Sequence, residues 1–122
     1  MKERGTLTEP MFYVLMSFLH RDMCGIEITQ FVQARTGGRV SLGPGTLYTL
    51  LGKFMDEKLI EEVEVSGRKR TYRLTAKGRE AYRDEVERLR TCLADARAAE
   101  LGLEPEPQRS SLFQEGAALV MP

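Results

Sequence analysis

"GPGTLYTLLGKFMDEKLIEEVEVSGRKRTYRLTAKG", residues 43–78, decides the fold. On a helical wheel with Leu47 at zero and ~100° per residue, Leu50, Leu51 and Phe54 lie within about 60° of it and form one core stripe. The opposite face carries Gly45, Thr49, Gly52, Lys53 and Asp56, flanked by Thr46 and Tyr48. A glycine inside a helix costs ~1 kcal/mol against alanine, so a bare outer face needs a use. A helix that reads DNA must lie deep in the major groove, where bulk on its outer face would hold the backbone away. Exposed backbone N–H groups near Gly45 and Thr46 can receive a phosphate with support from the helix dipole. Lys53 is placed for a phosphate or a guanine, and Tyr48 offers a hydroxyl and a flat ring at the groove edge.

After this helix, "IEEVEV" (60–65) alternates Val63 and Val65 with Glu62 and Glu64, and "TYRLT" (71–75) alternates Tyr72 and Leu74 with Arg73. The glycine-containing segment 66–70 joins them, which predicts a β-hairpin. Between Ser66 and Arg79 there are six basic residues and no acidic one, whereas Glu80 to Glu106 holds eight acidic and four basic. The chain as a whole is neutral, with 18 Lys+Arg and 18 Asp+Glu. A nucleic-acid footprint must therefore come from local segregation of charge, and Arg68, Lys69, Arg70 and Arg73 of the hairpin supply it.

Upstream, Thr8 caps a helix whose apolar residues Met11, Phe12, Val14, Leu15, Phe18 and Leu19 carry it to about Arg21. A break at Met23-Cys24-Gly25 precedes a second helix, which Gly37-Gly38 ends. Downstream, Thr75 caps a long helix reaching about Leu101. Its residues Tyr82, Val86, Leu89, Leu93 and Ala96 recur at spacings of four, three, four and three, a seam of the coiled-coil kind. Two heptads are too short to stand alone, so the seam is expected to pack on Met11 and Phe12 of the first helix, in its own or a partner subunit. The resulting fold class is mainly α with a β-hairpin: a winged helix-turn-helix (1–78), a C-terminal dimerisation helix (79–103) and a tail (104–122) with room for one short helix.

"GPGTLYTLLGKFMDEKLIEE" followed by "RKRTYRLTAKGREAY" resembles the PadR family of bacterial transcriptional regulators, over about Leu7 to Ala99. Gly45-Thr46-Leu47-Tyr48 is the most specific part. Tyr72 to Gly78 is shared more widely among winged-helix regulators. A single helix and tail after the hairpin is similar to the smaller PadR subfamily. Four departures stand out. Thr49 and Lys58 occupy positions where the family often has Pro and Gly. A Lys58 that needed positive φ would be strained, so the turn into the wing is expected to be built differently. Gly25-Ile26 replaces a Gly-Tyr pair, removing a phenol from the phosphate contacts. The sequence has no Trp, so the Trp sandwich by which one branch of the family holds aromatic drugs does not carry over.

The resemblance implies a homodimeric, sequence-specific DNA-binding regulator, a repressor released by a small-molecule effector. Its partner would be double-stranded DNA with a near-palindromic operator. The expected DNA contacts are Thr8, Gly45, Thr46, Tyr48, Thr49, Lys53, Arg68, Lys69, Arg70 and Arg73. The expected dimer interface is Met11, Phe12, Tyr82, Val86, Leu89, Leu93 and Ala96. A small aromatic effector would meet Phe12, Tyr13 and Leu93. The alternative is a winged helix used as a protein–protein interaction module without direct DNA binding, which Asp56, Glu57, Glu61 and Glu62 near the recognition helix favour.

Other classes find little support. One His, no phosphate loop and no paired-carboxylate pattern argue against an enzyme. Cys24 and Cys92 are far apart and read as reduced thiols, and with His20 alone they make no metal site. No cofactor is expected. The absence of a signal peptide and of an apolar run of ~20 residues predicts a cytoplasmic protein with no membrane partner.

Overall fold

The computed structural model describes residues 5–67 and 69–105. Its elements are α1 (Glu9–Ser17), β1 (Met23–Cys24), α2 (Gly25–Thr36), α3 (Pro44–Asp56), β2 (Ile60–Ser66), β3 (Lys69–Leu74) and α4 (Ala76–Glu100). This is the expected mainly helical winged fold, with one strand more than the hairpin alone. Residues up to Leu89 form one unit and those from Arg90 onward a second.

Local chemistry sets most boundaries. The Thr8 hydroxyl accepts the Met11 N–H at 3.3 Å and starts α1. The helix stops at Ser17, four residues short of the expected Arg21. There the Ser17 hydroxyl donates to the Val14 carbonyl at 2.6 Å, and Phe18 and Leu19 close short turns onto Leu15 and Met16. The chain then lays β1 antiparallel on β3, pairing Met23 with Tyr72 and Cys24 with Thr71. At the head of α2 the Glu27 carboxylate accepts the Cys24 N–H at 2.9 Å, which holds Glu27 below the usual carboxylate range. At its foot Gly37 takes the left-handed conformation, with φ 62°.

The end of α3 corrects one expectation. Lys58 does adopt positive φ, 63°, so the turn keeps its geometry without the glycine. Its N–H donates to Met55 at 3.0 Å, and the Leu59 N–H donates to Phe54 at 2.8 Å. These two bonds make a Schellman cap, and its apolar contact joins Leu59 to Phe54, both fully buried. Burial of that pair holds Lys58 in a conformation it disfavours.

The sheet order is β1-β3-β2. Ser66 pairs with Lys69, so the hairpin turn is tighter than segment 66–70 suggested. A bulge between Glu62 and Glu64 leaves Val63 extra. Beyond it the expected alternation fails: Val65 is exposed because the wing there projects past the core. On β3 the alternation holds, with Tyr72 and Leu74 buried and Arg73 exposed.

The core gathers Val14, Leu15 and Phe18 of α1, Ile28 and Val32 of α2, Leu47, Leu51 and Phe54 of α3, and Tyr72 and Leu74 of β3. The start of α4 is bound tightly to the α3–β2 turn. Thr75 donates its backbone N–H to the Leu59 carbonyl at 3.0 Å and its hydroxyl to Lys58 O at 2.7 Å, while that hydroxyl accepts the Gly78 N–H at 3.0 Å. A Cβ on Gly78 would lie 2.0 Å from the Leu59 carbonyl oxygen, so only glycine fits.

Met11 is buried in the core of its own protomer. In the second unit, α4 continues to Glu100 and ends where Gly102 turns left-handed, with the Leu103 N–H on Ala98 O at 3.0 Å. The tail expected at 104–122 lies outside the described residues beyond Pro105.

Candidate nucleic-acid interface

The face of α3 opposite its buried stripe is open. Gly45, Thr46, Tyr48, Thr49 and Lys53 are exposed and Gly52 is half-buried. A Cβ at Gly45 or Gly52 would meet nothing within 4 Å. Among the described residues, neither glycine is there to let another part of the protomer approach. Both leave the helix backbone accessible from outside.

Tyr48 is 56% exposed. Its hydroxyl lies 2.7 Å from where a Cβ on Gly25 would stand. Gly25, the first residue of α2, thus makes room for the phenol. Tyr48 borders an open groove of about 440 Å³ lined also by Cys24, Ile26, Glu27, Lys69 and Arg70. The groove joins the head of α2, the flank of α3 and the start of β3. Of the residues expected to touch DNA, it brings together Tyr48, Lys69 and Arg70. Ile26, 67% exposed in its lining, and Gly25, against which the Tyr48 phenol lies, were not among them. In the sequence the pair shows only as a glycine following a helix break and as the Gly25-Ile26 that stands where the family often has Gly-Tyr.

Three of the cations on this side, Lys53, Arg70 and Arg73, are paired within the protomer. Lys53 Nζ lies 3.0 Å from Glu57. Arg70 reaches Glu62 at 3.5 Å, and Arg73 reaches Asp22 at 3.5 Å and Glu61 at 3.9 Å. Charge that looks segregated along the chain is interleaved in space. Burial, with Glu62 alongside, pushes the Tyr72 phenol above its ordinary pKa, so Tyr72 remains a neutral wall behind these charges. Two expected contacts stand apart. Arg68 lies outside the described residues. Thr8 caps α1 with its hydroxyl and lies beside Phe12, Glu85 and Leu89, away from the groove.

A family model described as the transcriptional regulator PadR-like family matches residues 14–84, more than half of the chain. The chain belongs to the PadR-like family. Membership makes it a transcriptional regulator of the DNA-binding, winged-helix kind. No curated protein matches the sequence. Among solved structures, a transcriptional regulator from Clostridium thermocellum has a TM-score of 0.65 at 19% identity, covering 71% of this chain and 88% of its own. RosR of H. salinarum has a TM-score of 0.59 at 25% identity, covering 76% and 96%. A PadR family transcription regulator from Clostridium difficile has a TM-score of 0.59 at 18% identity, covering 77% and 98%.

This PadR-like chain also has a cleft of about 270 Å³ between α1 and the first half of α4, lined by residues that include Leu7, Phe12, Tyr13, Glu85, Arg88 and Leu89. The Phe12 ring stacks on Tyr82, with centroids 5.2 Å apart and planes 6° from parallel. Burial, with Tyr13 nearby, raises the Tyr82 phenol above its usual range. Glu85 is buried, and Arg88 Nε lies 3.2 Å from both of its oxygens. That guanidinium is the main reason Glu85 sits below the ordinary carboxylate pKa, and the Leu7 N–H adds to it. Along α4, Tyr82 and Val86 are half-buried, while Leu89, Leu93 and Ala96 are exposed. Among the described residues no cluster of His, Cys, Asp and Glu is arranged to hold a metal. No helix there is long and apolar enough to cross a membrane.

Proposed function

We propose that this PadR-like regulator is a homodimer that binds a near-palindromic operator through α3 and the wing, and that it represses until a small molecule releases it. One observation carries the DNA-contact assignment: the α3 face bearing Gly45, Thr49 and Gly52 is open, and a cationic groove adjoins it. The helix enters the major groove. Thr49 and Lys53 meet base edges, Gly45 and Thr46 bring backbone N–H groups to a phosphate, and Tyr48, Arg68, Lys69, Arg70 and Arg73 hold the flanking strand.

The exposed Leu89, Leu93 and Ala96 on one stripe of α4 support pairing with a second copy. Two recognition helices then meet half-sites about one DNA turn (~34 Å) apart. The α1–α4 cleft, aromatic through Phe12 and Tyr13, suits a small aromatic effector, with Leu93 contributed by the dimer. The protein would act in the cytoplasm. A footprint of the purified protein on the intergenic DNA beside its own gene tests the reading. A protected near-palindrome whose occupancy falls with salt and with Lys53→Ala supports it. No protection at any concentration turns the choice to the protein-interaction module.

A further inference from the structure

Three of the cations assigned to DNA are held by carboxylates of the same protomer, at 3.0 Å for Lys53–Glu57, 3.5 Å for Arg70–Glu62, and 3.5 and 3.9 Å for Arg73 with Asp22 and Glu61. We propose that Asp22, Glu57, Glu61 and Glu62 are internal stand-ins for DNA phosphate: they occupy Lys53, Arg70 and Arg73 in the free protein, must be displaced when DNA binds, and so cap the affinity for DNA of any sequence. This inference rests on the DNA-binding reading above.

The chemistry of exchange is direct. A carboxylate and a phosphate both present anionic oxygens to the guanidinium fork or the ammonium group. A cation cannot serve both fully, so each phosphate contact is bought by breaking an internal pair. The pairs can break, because every side chain in them except Glu62 is between two- and three-fifths exposed. An exposed pair of this kind shifts an equilibrium by only about two- to fivefold. That is weak enough for a polyanion to displace and strong enough, across three cations, to matter in total.

The arrangement comes from tertiary structure. Glu57 lies one helical turn beyond Lys53 on α3. Glu61 is placed opposite Arg73 by the β2–β3 register, and Glu62 stands three positions before Val65, the register partner of Arg70. Asp22 comes from the segment before β1, 51 positions from Arg73. Three separate parts of the chain thus deliver acid to one basic surface. The result is four carboxylates set against Lys53, Arg70 and Arg73, where segment 66–79 read alone has six positive charges and no negative one. Exposed ion pairs add little to stability, so folding gives little reason to gather acid on the face that meets a polyanion.

A displaced carboxylate also leaves a mark on salt dependence. Phosphate neutralisation releases cations from DNA, and the number released sets the slope of log K against log salt. A carboxylate freed in the complex takes up a cation and opposes that release. The wild-type slope is then shallower than its phosphate contacts alone would give.

The test uses full-length protein, fluorescence anisotropy, an operator duplex defined by footprinting and an unrelated duplex, each titrated over a range of salt. The variants are Glu57→Gln, Glu62→Gln, the pair Asp22→Asn with Glu61→Gln, and all four together. Glu87→Gln, alone and together with Glu80→Gln, Asp95→Asn and Glu100→Gln, all at exposed positions on α4, changes net charge by one and by four without touching these pairs. The fourfold variant should bind both duplexes at least about tenfold more tightly at low salt, with a slope steeper by about one. Glu87→Gln should stay within about twofold of wild type. Unchanged binding by the variants overturns the inference, and weaker binding does so too, since the carboxylates would then be orienting the cations for DNA. If wild type binds DNA and the variants match the α4 variants of equal charge, this inference alone fails. If neither wild type nor any variant binds either duplex, the DNA-binding reading fails and takes the inference with it.

Discussion

At Gly25, one hydrogen atom in place of a methyl group seats Tyr48. A Cβ there would meet the Tyr48 hydroxyl, the far end of a flexible side chain. Gly25→Ala should therefore swing the phenol outward and disturb the groove more than the fold. We expect a stability change within about 1 kcal/mol but a three- to tenfold loss of operator affinity, roughly one phosphate hydrogen bond. Thermal melts and anisotropy titrations on the same preparation read the two effects separately. Lys58 is the opposite case, a residue strained for the sake of its neighbours. Lys58→Gly should raise stability by about 0.5–1 kcal/mol, because relief of the left-handed strain exceeds the added freedom of the unfolded chain. Chemical denaturation shows this as a higher midpoint with an unchanged slope.

At the scale of elements, the joint between α3, β2 and α4 has no slack. Gly78→Ala drives a methyl into the Leu59 carbonyl, which is backbone and cannot swing aside. The expected loss is at least about 2 kcal/mol. The first turn of α4 must shift, and the wing with it, so melts and operator binding should both suffer. A second joint ties α1 to α4 through Glu85. Its carboxyl pKa is depressed in the folded state, so its stabilisation is complete above the ordinary value of 4.5 and is lost as pH falls through the lowered one. Glu85→Gln should cost about 1–2 kcal/mol at pH 7 and flatten the acid limb of the stability curve, as denaturation at stepped pH would show. The elements themselves were legible because their signals are local and periodic: the Leu47–Leu51–Phe54 stripe, the Thr8 and Thr75 caps, and the Tyr72–Leu74 alternation. The misses depend on what lies beneath or beside a residue in the folded core. β1 is two residues long and exists only through β3. The left-handed Lys58 is held by buried Leu59. Val65 alternates correctly in sequence yet has nothing beneath it.

At the scale of the whole molecule, charge and symmetry decide the behaviour. The exposed face of α3 could be read from the sequence, since a helical wheel needs only spacing. The ion pairing of Arg73 with Asp22 could not, since it joins residues 51 positions apart. If α4 forms the dimer, Leu89→Glu with Leu93→Glu should bring charge into the seam and raise the dimer dissociation constant roughly a hundredfold or more. Sedimentation would then show monomer, and operator binding should drop far more than binding to a single half-site. Gly52 offers the most direct test of the account. Gln is a good helix former, so Gly52→Gln should raise stability by about 0.5–1 kcal/mol and the melting temperature by a few degrees, about 2–6 °C. It also places a long side chain on the face said to enter the groove. The measurement is the operator dissociation constant of Gly52→Gln beside its melting temperature. The account predicts a more stable protein that binds its operator at least about tenfold more weakly. A more stable protein with wild-type operator affinity would contradict it.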